Sequence, residues 1–497
     1  MQQPTLVVRH IAIDTYRENI VYMARGCEIC KSQGFQALSK LEVHFGKHKI
    51  LATLNTTDNG LVQPGEIGLS STAFRRLQAP EGSRVTLSHR NPLISTDLIR
   101  HKLEGKRLNK NQFYSIIKDI SAYRYSNIEL TAFVVACAQK NLSETEIVHL
   151  TSAMIKTGEM IHWGLPMVLD KHCIGGIPGN RTTMIIVPIV AAAGLPIPKT
   201  SSRAITSPAG TADTMEAITN VQLDLHEMKK IVREENAVIA WGGSLSLAPV
   251  DDIIISVERP LSLDSEGQMV ASILSKKKAA GSTHVLLDIP IGPTAKVKNQ
   301  RAGSRLQKIF ENVGRKIGLK IQVVFTDGRQ PIGQGIGPCL EAQDVLKVLK
   351  NEPDAPSDLR EKSIVLAGKL LEMSQTVAAD RGEAIANELL ISGKALAKFL
   401  NIAAKQGPLK RLELAPYHYV IKSHVTGVIH TIHNQKLAKV ARLAGAPADP
   451  QAGIYLHKKL GHKVKKGEPL FTIYSKNEED LSFAKKYMEE NPDIFTT

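Results

Sequence analysis

The chain has 497 residues, of which 43% are hydrophobic and 22% charged, and its formal net charge is +15. These proportions are those of a globular protein with a sizeable core, so wholesale disorder and collagen-like repeats are excluded. The longest apolar run, residues 184–195, contains Pro188 and is too short for a membrane-spanning helix. The N-terminus lacks the pattern of a secretory signal, and the length corresponds to about three domains. We therefore expect a cytoplasmic, multidomain protein with no membrane partner.

The charge is strongly basic, with 63 lysines and arginines against 48 aspartates and glutamates. Such a surplus favours anionic partners, which include nucleic acid, an anionic membrane surface and small phosphorylated substrates. Aromatic residues make up only 5% of the chain, so no base-stacking platform is indicated. Nucleic-acid binding is kept as an alternative of a different class, although we do not expect it.

The five cysteines are too few and too scattered for the disulfide framework of a secreted protein. Cys27 and Cys30 form a single CxxC without the second pair that a structural zinc site needs. We therefore interpret the cysteines as ordinary thiols and expect no metal site.

Residues 1–88 are predicted to form a β-rich domain. This prediction rests on alternating apolar and polar residues at 41–45, an apolar run at 49–54 and a last strand at 84–87. A turn is predicted at 58–60. Residues 92–160 are predicted to form a small helical domain. Its signals are an amphipathic stretch at 127–140 and a capping box that begins at Ser143.

Residues 161–412 have an α/β pattern. Apolar strand candidates at 237–241, 284–289 and 321–325 alternate with helical segments, which implies crossovers and a mostly parallel or mixed sheet. A linker at 351–356 precedes two predicted helices, and residues 413–497 form a C-terminal α+β lobe. The fold class is therefore α/β and α+β multidomain, with β-rich units at both ends.

The densest chemical signal is the stretch from Asp170 to Asn180, DKHCIGGIPGN. Lys171 supplies positive charge, and three glycines let backbone N–H groups converge on an anion. Thr182 and Thr183 then open a helix whose N-terminus favours negative charge. A tight turn with a surface lysine is the alternative, because the spacing differs from that of a P-loop.

A second polar loop, residues 200–213 (TSSRAITSPAGTAD), combines hydroxyl side chains with one arginine ahead of a helix that begins near Thr211. Hydroxyl groups donate to phosphate or ribose oxygens. The alternative is a polar loop in which Thr211 or Asp213 caps the helix. Two such loops around one apolar segment favour an anion site.

A third region runs from Glu258 into a helix for which Ser265 starts a predicted capping box. Ser272 and Lys276 are four residues apart and therefore project from the same side. Asp264 precedes the helix, and its alternative role is a structural one at the helix start. The glycines at 333–337 lack the full dinucleotide fingerprint, so we interpret them as a turn.

These three regions resemble the motifs of the thymidine phosphorylase family. The run SRAITSPAGTADTME, residues 202–216, resembles the family signature, Lys171-His172 with Gly175-Gly176 its phosphate loop, and residues 272–277 its pyrimidine-contact helix. The resemblance covers most of residues 95–475. The additional N-terminal domain is similar to that of a longer branch, which includes proteins named as thymidine phosphorylases and archaeal AMP phosphorylases.

The resemblance implies a helical domain, joined by about residues 255–282, that faces the α/β domain across a cleft holding the active site. It also implies phosphorolysis, in which phosphate displaces a nucleobase from C1′ of the sugar. By this analogy Lys171, Thr183, Ser201 and Thr211 bind phosphate. No metal or organic cofactor is implied, because phosphate is itself the co-substrate.

The resemblance assigns the remaining site residues to the nucleoside or nucleotide. In the pyrimidine branch His172, Arg259, Ser272 and Lys276 resemble the groups that serve the departing base. In the AMP branch an aspartate at the position of Asp264 donates the proton. The implied nucleotide contacts are Gly176, Ser202, Arg203, Ala204, Ile205, Thr206, Ser207, Thr211, Ser272 and Lys296.

Two departures from the shorter enzymes bear on the substrate. Cys173 stands where they carry serine, so a strong phosphate donor becomes a weak one. Two residues are also missing between Arg259 and Ser272, which puts the pyrimidine contacts in question and draws attention to Asp264.

The expected function is cleavage of thymidine by phosphate to thymine and 2-deoxyribose 1-phosphate. The alternative is a nucleoside-monophosphate phosphorylase that converts AMP to adenine and ribose 1,5-bisphosphate. The expected partners are small-molecule substrates and, by family analogy, further copies of the chain in a homo-oligomer.

Overall fold

The computed structural model describes residues 5–15, 18–58, 60–90, 93–139, 142–204, 207–245, 247–261, 263 and 265–497, without the side chains of Cys30, Lys31, Gln33 and Arg259. In these ranges no helix is long and apolar enough to cross a membrane. The chain divides into two compact units, residues 1–104 with 119–130 and residues 105–118 with 131–497.

The first unit is built on a closed six-stranded barrel, which confirms the predicted β-rich character of the N-terminal residues. The strand order is β1-β5-β2-β4-β3-β6, and β6 pairs with β1 to close it. Leu41 and Val43, which alternate along β3, are fully buried in the barrel core. Its elements are β1 Thr5–Ile11, β2 Ile20–Ala24, α1 Glu28–Gln33, β3 Lys40–Phe45, β4 His48–Thr57, β5 Glu66–Ser70, α2 Ser71–Leu77, β6 Arg84–His89 and α3 Ile94–Leu103.

Most of the remaining elements belong to the second unit, while the residues of α4 and of α5 are each divided between the two units. In chain order they are α4 Lys110–Ser121, α5 Asn127–Gln139, α6 Glu144–Lys156, β7 Leu169–Cys173, α7 Thr183–Ala192, β8 Ile197–Ser201, α8 Thr211–Glu216, α9 Leu225–Glu235, β9 Ala237–Trp241, α10 Pro249–Leu261, α11 Glu266–Ala279, β10 His284–Ile291, α12 Gln300–Lys316, β11 Lys320–Asp327, β12 Gly335–Ile336, α13 Pro338–Leu349, α14 Ser357–Met373, α15 Gly382–Ile391, α16 Lys394–Gln406, β13 Tyr417–Lys422, β14 Gly427–Val428, β15 Thr431–Ile432, α17 Asn434–Leu443, β16 Gly453–Leu456, β17 Lys463–Val464, β18 Pro469–Ser475, α18 Glu478–Glu489 and β19 Phe495–Thr496.

Parallel strands form the centre of the second unit, which confirms the predicted α/β fold. β10 pairs in parallel with β7 on one side and β11 on the other, and β8 pairs in parallel with β9. Val285, Leu286 and Leu287 are consecutive and fully buried, as expected for a strand that is covered on both faces. The register places His172 opposite Leu287, so β7 and β10 run side by side into the candidate site.

The long apolar run of the sequence is a core helix. Nine of the ten residues of α7 are buried, from Thr183 to Ala191, and the helix packs against α14 and α16. A helix that is apolar on every side is stable only where neighbours cover it completely. The packing of α7 therefore holds its N-terminus, at Thr183, in a fixed position.

The capping predictions had opposite outcomes. Ser143 accepts from the backbone N–H of Glu146 and completes a capping box at the start of α6, as predicted. Ser265 makes no such bond, so the second capping box is wrong. The Ser265 hydroxyl and both polar side-chain atoms of Gln268, its expected partner, have no hydrogen-bond partner among the described residues.

Two predictions in the fully described stretch 265–497 also need correction. Gly335–Ile336 forms the short strand β12, which pairs with β16, rather than a turn alone. Three helices, α14 to α16, follow the linker where two were predicted. The C-terminal lobe then begins at Tyr417 with β13, which pairs with β18.

Candidate active site

The first polar loop reverses the chain between β7 and α7. Gly175 and Gly176 have φ values of +141° and +50°, which only glycine adopts without strain. At Gly179 a β-carbon would lie 2.3 Å from Cys173 Sγ, so the backbone also passes too close for a side chain. The glycines are therefore required by the turn itself, and they leave backbone amides uncovered by side chains.

Lys171 lies on β7, just ahead of this loop, with its side chain fully buried. Its Nζ donates to Thr182 Oγ1 at 2.7 Å and lies 3.6 Å from Asp288 Oδ2. Its ammonium therefore faces the turn that starts α7, which is where the sequence predicted a positive charge for an anion.

A second buried carboxylate precedes Lys171 on β7. Asp170 is fully buried, and its oxygens lie 3.1 Å from Lys199 Nζ and 2.8 Å from Lys277 Nζ. Ser282 Oγ also donates to it at 3.2 Å. Burial alone would raise the pKa of Asp170, but Lys199 and Lys277 lower it below its usual value. One carboxylate therefore links β7, β8 and α11, which carry the three regions singled out in the sequence.

His172 is half-buried at the end of β7. Burial and then Lys277, Lys199, Lys276 and Lys171 hold its pKa well below the usual value. At neutral pH the imidazole is therefore uncharged, so it is available as a neutral hydrogen-bonding group and not as a cation.

The two polar loops meet. Asn180 Nδ2 donates to the carbonyl of Ala209 at 2.7 Å, and Thr211 Oγ1 donates to the carbonyl of Asn180 at 3.3 Å. Thr183, the first residue of α7, is buried. The contact brings the predicted phosphate residues Thr183 and Thr211 onto two adjoining segments.

Ser201, at the end of β8, is 8% exposed, and its Oγ has no hydrogen-bond partner among the described residues. A buried hydroxyl without a partner is costly, so such a group is a natural site for a ligand oxygen. Ser201 is thus the predicted phosphate residue with the clearest vacant donor.

Arg203 is occupied by protein partners. Its Nη2 donates to Glu216 Oε1 at 2.8 Å, its Nη1 lies 3.2 Å from Asp213 Oδ1, and the guanidinium lies over the ring of Trp241. The family resemblance assigns Arg203 to the nucleotide, but in the structure its guanidinium is already bound to two carboxylates of α8. Ser202, Ala204 and Ser207 lie on the same loop.

Asp213 fastens this loop to α8. Its Oδ2 accepts from the backbone N–H of Ala204 at 2.7 Å and of Gly210 at 2.9 Å. The N-cap of α8 is Gly210, so neither Thr211 nor Asp213 is the cap, although Asp213 supports the helix start from its third position. Thr211 is the first residue of α8 and faces Asn180.

The α11 residues lie as their spacing predicted. Ser272 and Lys276 are both half-buried, and Lys276 Nζ lies 2.5 Å from Asp251 Oδ2 of α10. Burial alone would lower the pKa of Lys276, but Asp251, Asp252 and Glu258 raise it above the usual value. Lys276 is therefore charged and already paired.

Lys296 is exposed, and its β-carbon lies 3.8 Å from where a β-carbon on Gly175 would stand. Gly176 is exposed in the same loop. Four residues assigned through the family resemblance, namely Ile205, Thr206, Asp264 and the side chain of Arg259, lie outside the described residues. In the described part of the chain no group of three or more His, Cys, Asp or Glu residues could hold a metal.

Sequence reasoning missed a buried arginine cluster. Arg181 is fully buried; its Nη1 donates to Asp344 Oδ2 at 2.8 Å and to the carbonyl of Gly335, and its Nη2 lies 3.3 Å from Glu341 Oε1. No motif singled out in the sequence included Arg181. The cluster anchors the turn before α7 to α13.

Glu341 and Asp344 face the same arginine, Arg181, which is their shared counter-charge. Burial raises the pKa of Glu341 to about 7, although Arg181 opposes this, and Thr214 Oγ1 of α8 lies 3.4 Å from its Oε2. The folded protein binds this proton more tightly than the unfolded chain. The resulting stability is fully present below the ordinary glutamate pKa of 4.5 and is lost as the pH rises through about 7.

Replacing Glu341 with glutamine should therefore remove a pH-dependent loss of stability. Between pH 5 and pH 8 we expect the wild type to lose about 2–3 kcal/mol relative to Glu341→Gln. Unfolding midpoints in urea across this range measure the difference. Parallel curves for the two proteins would show that Glu341 is already ionised at pH 5.

Comparison with known proteins shows which family models match the parts of this chain. The glycosyl transferase family a/b domain matches residues 165–396, the helical bundle domain of the same family residues 96–158, and the pyrimidine nucleoside phosphorylase C-terminal domain residues 428–494. The crystal structure of anthranilate phosphoribosyltransferase from Thermus thermophilus matches with a TM-score of 0.52 at 18% identity. The match covers 62% of this chain and 99% of that chain. The fold is thus that of a glycosyltransferase.

Relatives that match nearly the whole chain show which kind of glycosyltransferase this is. Proteins named "Putative thymidine phosphorylase" are 49% identical in Legionella pneumophila (98% of this chain, 95% of the relative) and 50% identical in Methylococcus capsulatus (97% and 94%). One from Albidiferax ferrireducens is 51% identical (97% and 93%). The chain belongs to the thymidine phosphorylase family, and it is a pentosyltransferase.

Proposed function

We propose that the enzyme cleaves thymidine with phosphate to give thymine and 2-deoxyribose 1-phosphate. The observation that carries the phosphate half of this proposal is the buried, unpartnered hydroxyl of Ser201. The nucleoside half is supported by relatives that match nearly the whole chain and are named "Putative thymidine phosphorylase".

In the proposed reaction phosphate is the nucleophile. The phosphate oxygens are held by Lys171, Thr183, Ser201 and Thr211. One of those oxygens attacks C1′ as the N-glycosidic bond breaks. C1′ gains positive charge during the cleavage, and the bound phosphate dianion stabilises that charge. No phosphoryl group is transferred, so phosphate is a co-substrate and no other cofactor takes part.

The electron pair of the broken bond goes to the base, which needs a proton or a cation. In the proposed thymidine reaction His172, Arg259, Ser272 and Lys276 serve the base. The lowered pKa of His172 makes it a hydrogen-bonding group there. The positive charge opposite the base then has to come from Arg259 or Lys276.

A second candidate is phosphorolysis of AMP, and the pairing of Lys276 favours it. With Asp251 Oδ2 at 2.5 Å, much of the charge of Lys276 is compensated before a base arrives. A purine that leaves with a proton from Asp264 does not depend on that charge. Ser202–Ser207 and Lys296 would then contact the nucleotide.

The deciding experiment measures base release by chromatography from thymidine and from AMP, separately, with and without phosphate. Phosphate-dependent thymine from thymidine alone supports the first proposal, and phosphate-dependent adenine from AMP alone replaces it with the second. Release of neither base, together with salt-sensitive binding to arbitrary duplexes, would favour the nucleic-acid alternative.

The role of Asp264 separates the two reactions. If AMP is cleaved, Asp264→Asn should lower adenine release by about a hundred-fold, because an amide cannot supply the proton. Thymine release should change less than about three-fold. Glu266→Gln is the matched control, since Glu266 lies two residues further along and is paired at the surface. Equal losses on both substrates would return Asp264 to a structural role.

A further inference from the structure

Lys362 is a buried lysine on α14 that no motif of the sequence indicated. Its Nζ donates to the carbonyl of Pro178 at 2.9 Å and to Thr326 Oγ1 at 2.9 Å. The same nitrogen lies 3.2 Å from Asp288 Oδ2, and the side chain is 8% exposed. Lys362 therefore joins α14 to the glycine loop, β10 and β11.

Asp288 is shared between two lysines. Its Oδ2 lies 3.6 Å from Lys171 Nζ as well as 3.2 Å from Lys362 Nζ, and its Oδ1 accepts from Thr326 at 2.6 Å. Burial alone would raise the pKa of Asp288, but Lys362 and Lys171 lower it below its usual value. The carboxylate is therefore charged, and the three groups together keep one positive charge.

The net positive charge of Lys171, Lys362 and Asp288 lies next to the glycine loop. A β-carbon on Gly179 would be 3.1 Å from Asp288 Oδ2 and 3.4 Å from Lys362 Nζ. Without Lys362, Lys171 and Asp288 would form a neutral pair, and the loop would have no net charge from this group to offer an anion. The bond to Pro178 additionally fixes the loop that presents the backbone amides.

We propose that Lys362 is a positioning residue for phosphate, because it shares Asp288 with Lys171 and so leaves a net positive charge beneath the glycine loop. The inference rests on the proposed phosphorolysis and adds a residue to its phosphate site. Lys362 acts through Asp288 and Pro178, and it needs no contact with the substrate.

The test begins with phosphate binding. Lys362→Met should weaken the binding of inorganic phosphate, measured by titration calorimetry, by about ten-fold. The KM for phosphate should rise by a similar factor, while the KM for the nucleoside or nucleotide should change less than about three-fold. Lys369→Met is the matched control, because Lys369 lies on the same helix and pairs with Glu372 at 3.0 Å. Wild-type phosphate affinity in Lys362→Met would overturn the proposal.

A charge-rescue variant separates this role from simple bracing. In Lys362→Met/Asp288→Asn the carboxylate that would neutralise Lys171 is gone, so phosphate affinity should return to within about three-fold of the wild type. A double variant as weak as Lys362→Met, or weaker, would overturn the proposal. If Lys362→Met does not fold, Asp288→Asn alone should bind phosphate at least as tightly as the wild type, and a ten-fold weaker affinity would contradict the inference.

The calorimetric measurement needs no nucleoside, so it is independent of the proposed substrate. A wild type that binds phosphate but releases no base from thymidine or AMP would refute the proposed function. The comparison of Lys362→Met with the wild type would still decide the role of Lys362.

Discussion

Replacing Lys171 with alanine is expected to lower kcat/KM for phosphate by about a thousand-fold. The side chain is fully buried, and its charge lies between Thr182 and Asp288. Once it is removed, Lys362 and Asp288 form a neutral pair, so this group of side chains offers no net charge to the anion. A charged donor inside a low-dielectric site is among the largest single contributions to such a reaction.

The measurement is the phosphate dependence of base release at saturating nucleoside or nucleotide. Lys308→Ala serves as the control, because Lys308 is exposed on α12 and its loss should leave kcat/KM within about two-fold. Thermal midpoints exclude misfolding as the cause. An unchanged phosphate KM in Lys171→Ala would remove Lys171, and with it the glycine loop, from the phosphate site.

The second large effect is expected for stability. Arg181→Met should lower the free energy of unfolding by about 3–5 kcal/mol, because it leaves the buried Asp344 carboxylate without its counter-charge. Asp344 also accepts from the backbone N–H groups of Gln334 and Gly335, at 2.8 Å each. It therefore cannot leave the interior without breaking those bonds as well.

Urea unfolding of Arg181→Met and of Arg329→Met provides the comparison. Arg329 pairs with Asp327 at the surface, with 67% of its side chain exposed, so its removal should cost less than about 1 kcal/mol. Adding Asp344→Asn to Arg181→Met should recover part of the loss, because the uncompensated carboxylate is then gone. A loss in Arg181→Met no larger than in Arg329→Met would show that the cluster contributes little.

The two predictions differ in what they test. Lys171 is expected to act mainly on phosphate, since Lys362 still compensates Asp288 after its removal. Arg181 is expected to act mainly on folding and to affect phosphate only through the position of the turn before α7. Both residues lie in one short stretch of chain. Comparing the two variants therefore separates the effect of the positive charge at Lys171 from the effect of the contacts that hold the turn before α7.

Local sequence signals determined the elements and the order of the site segments. The capping box at Ser143, the apolar strand at residues 284–289 and the helix that opens at Thr183 all formed where the chain predicted them. Each depends on contacts within a few residues or on complete burial of an apolar stretch, and such preferences can be read directly from neighbouring side chains. The motifs around Lys171 and Thr211 also identified the family.

Only the tertiary structure decided which charges compensate one another. Asp170 and Asp288 each lie between two lysines that come from distant elements, and Arg203 and Lys276 are held by protein carboxylates before any substrate is bound. Ser265 fits a capping box in the sequence, yet its hydroxyl has no hydrogen-bond partner among the described residues. Charge pairing depends on strand register and helix packing between segments far apart in the chain, and no local pattern encodes the partner of a buried lysine.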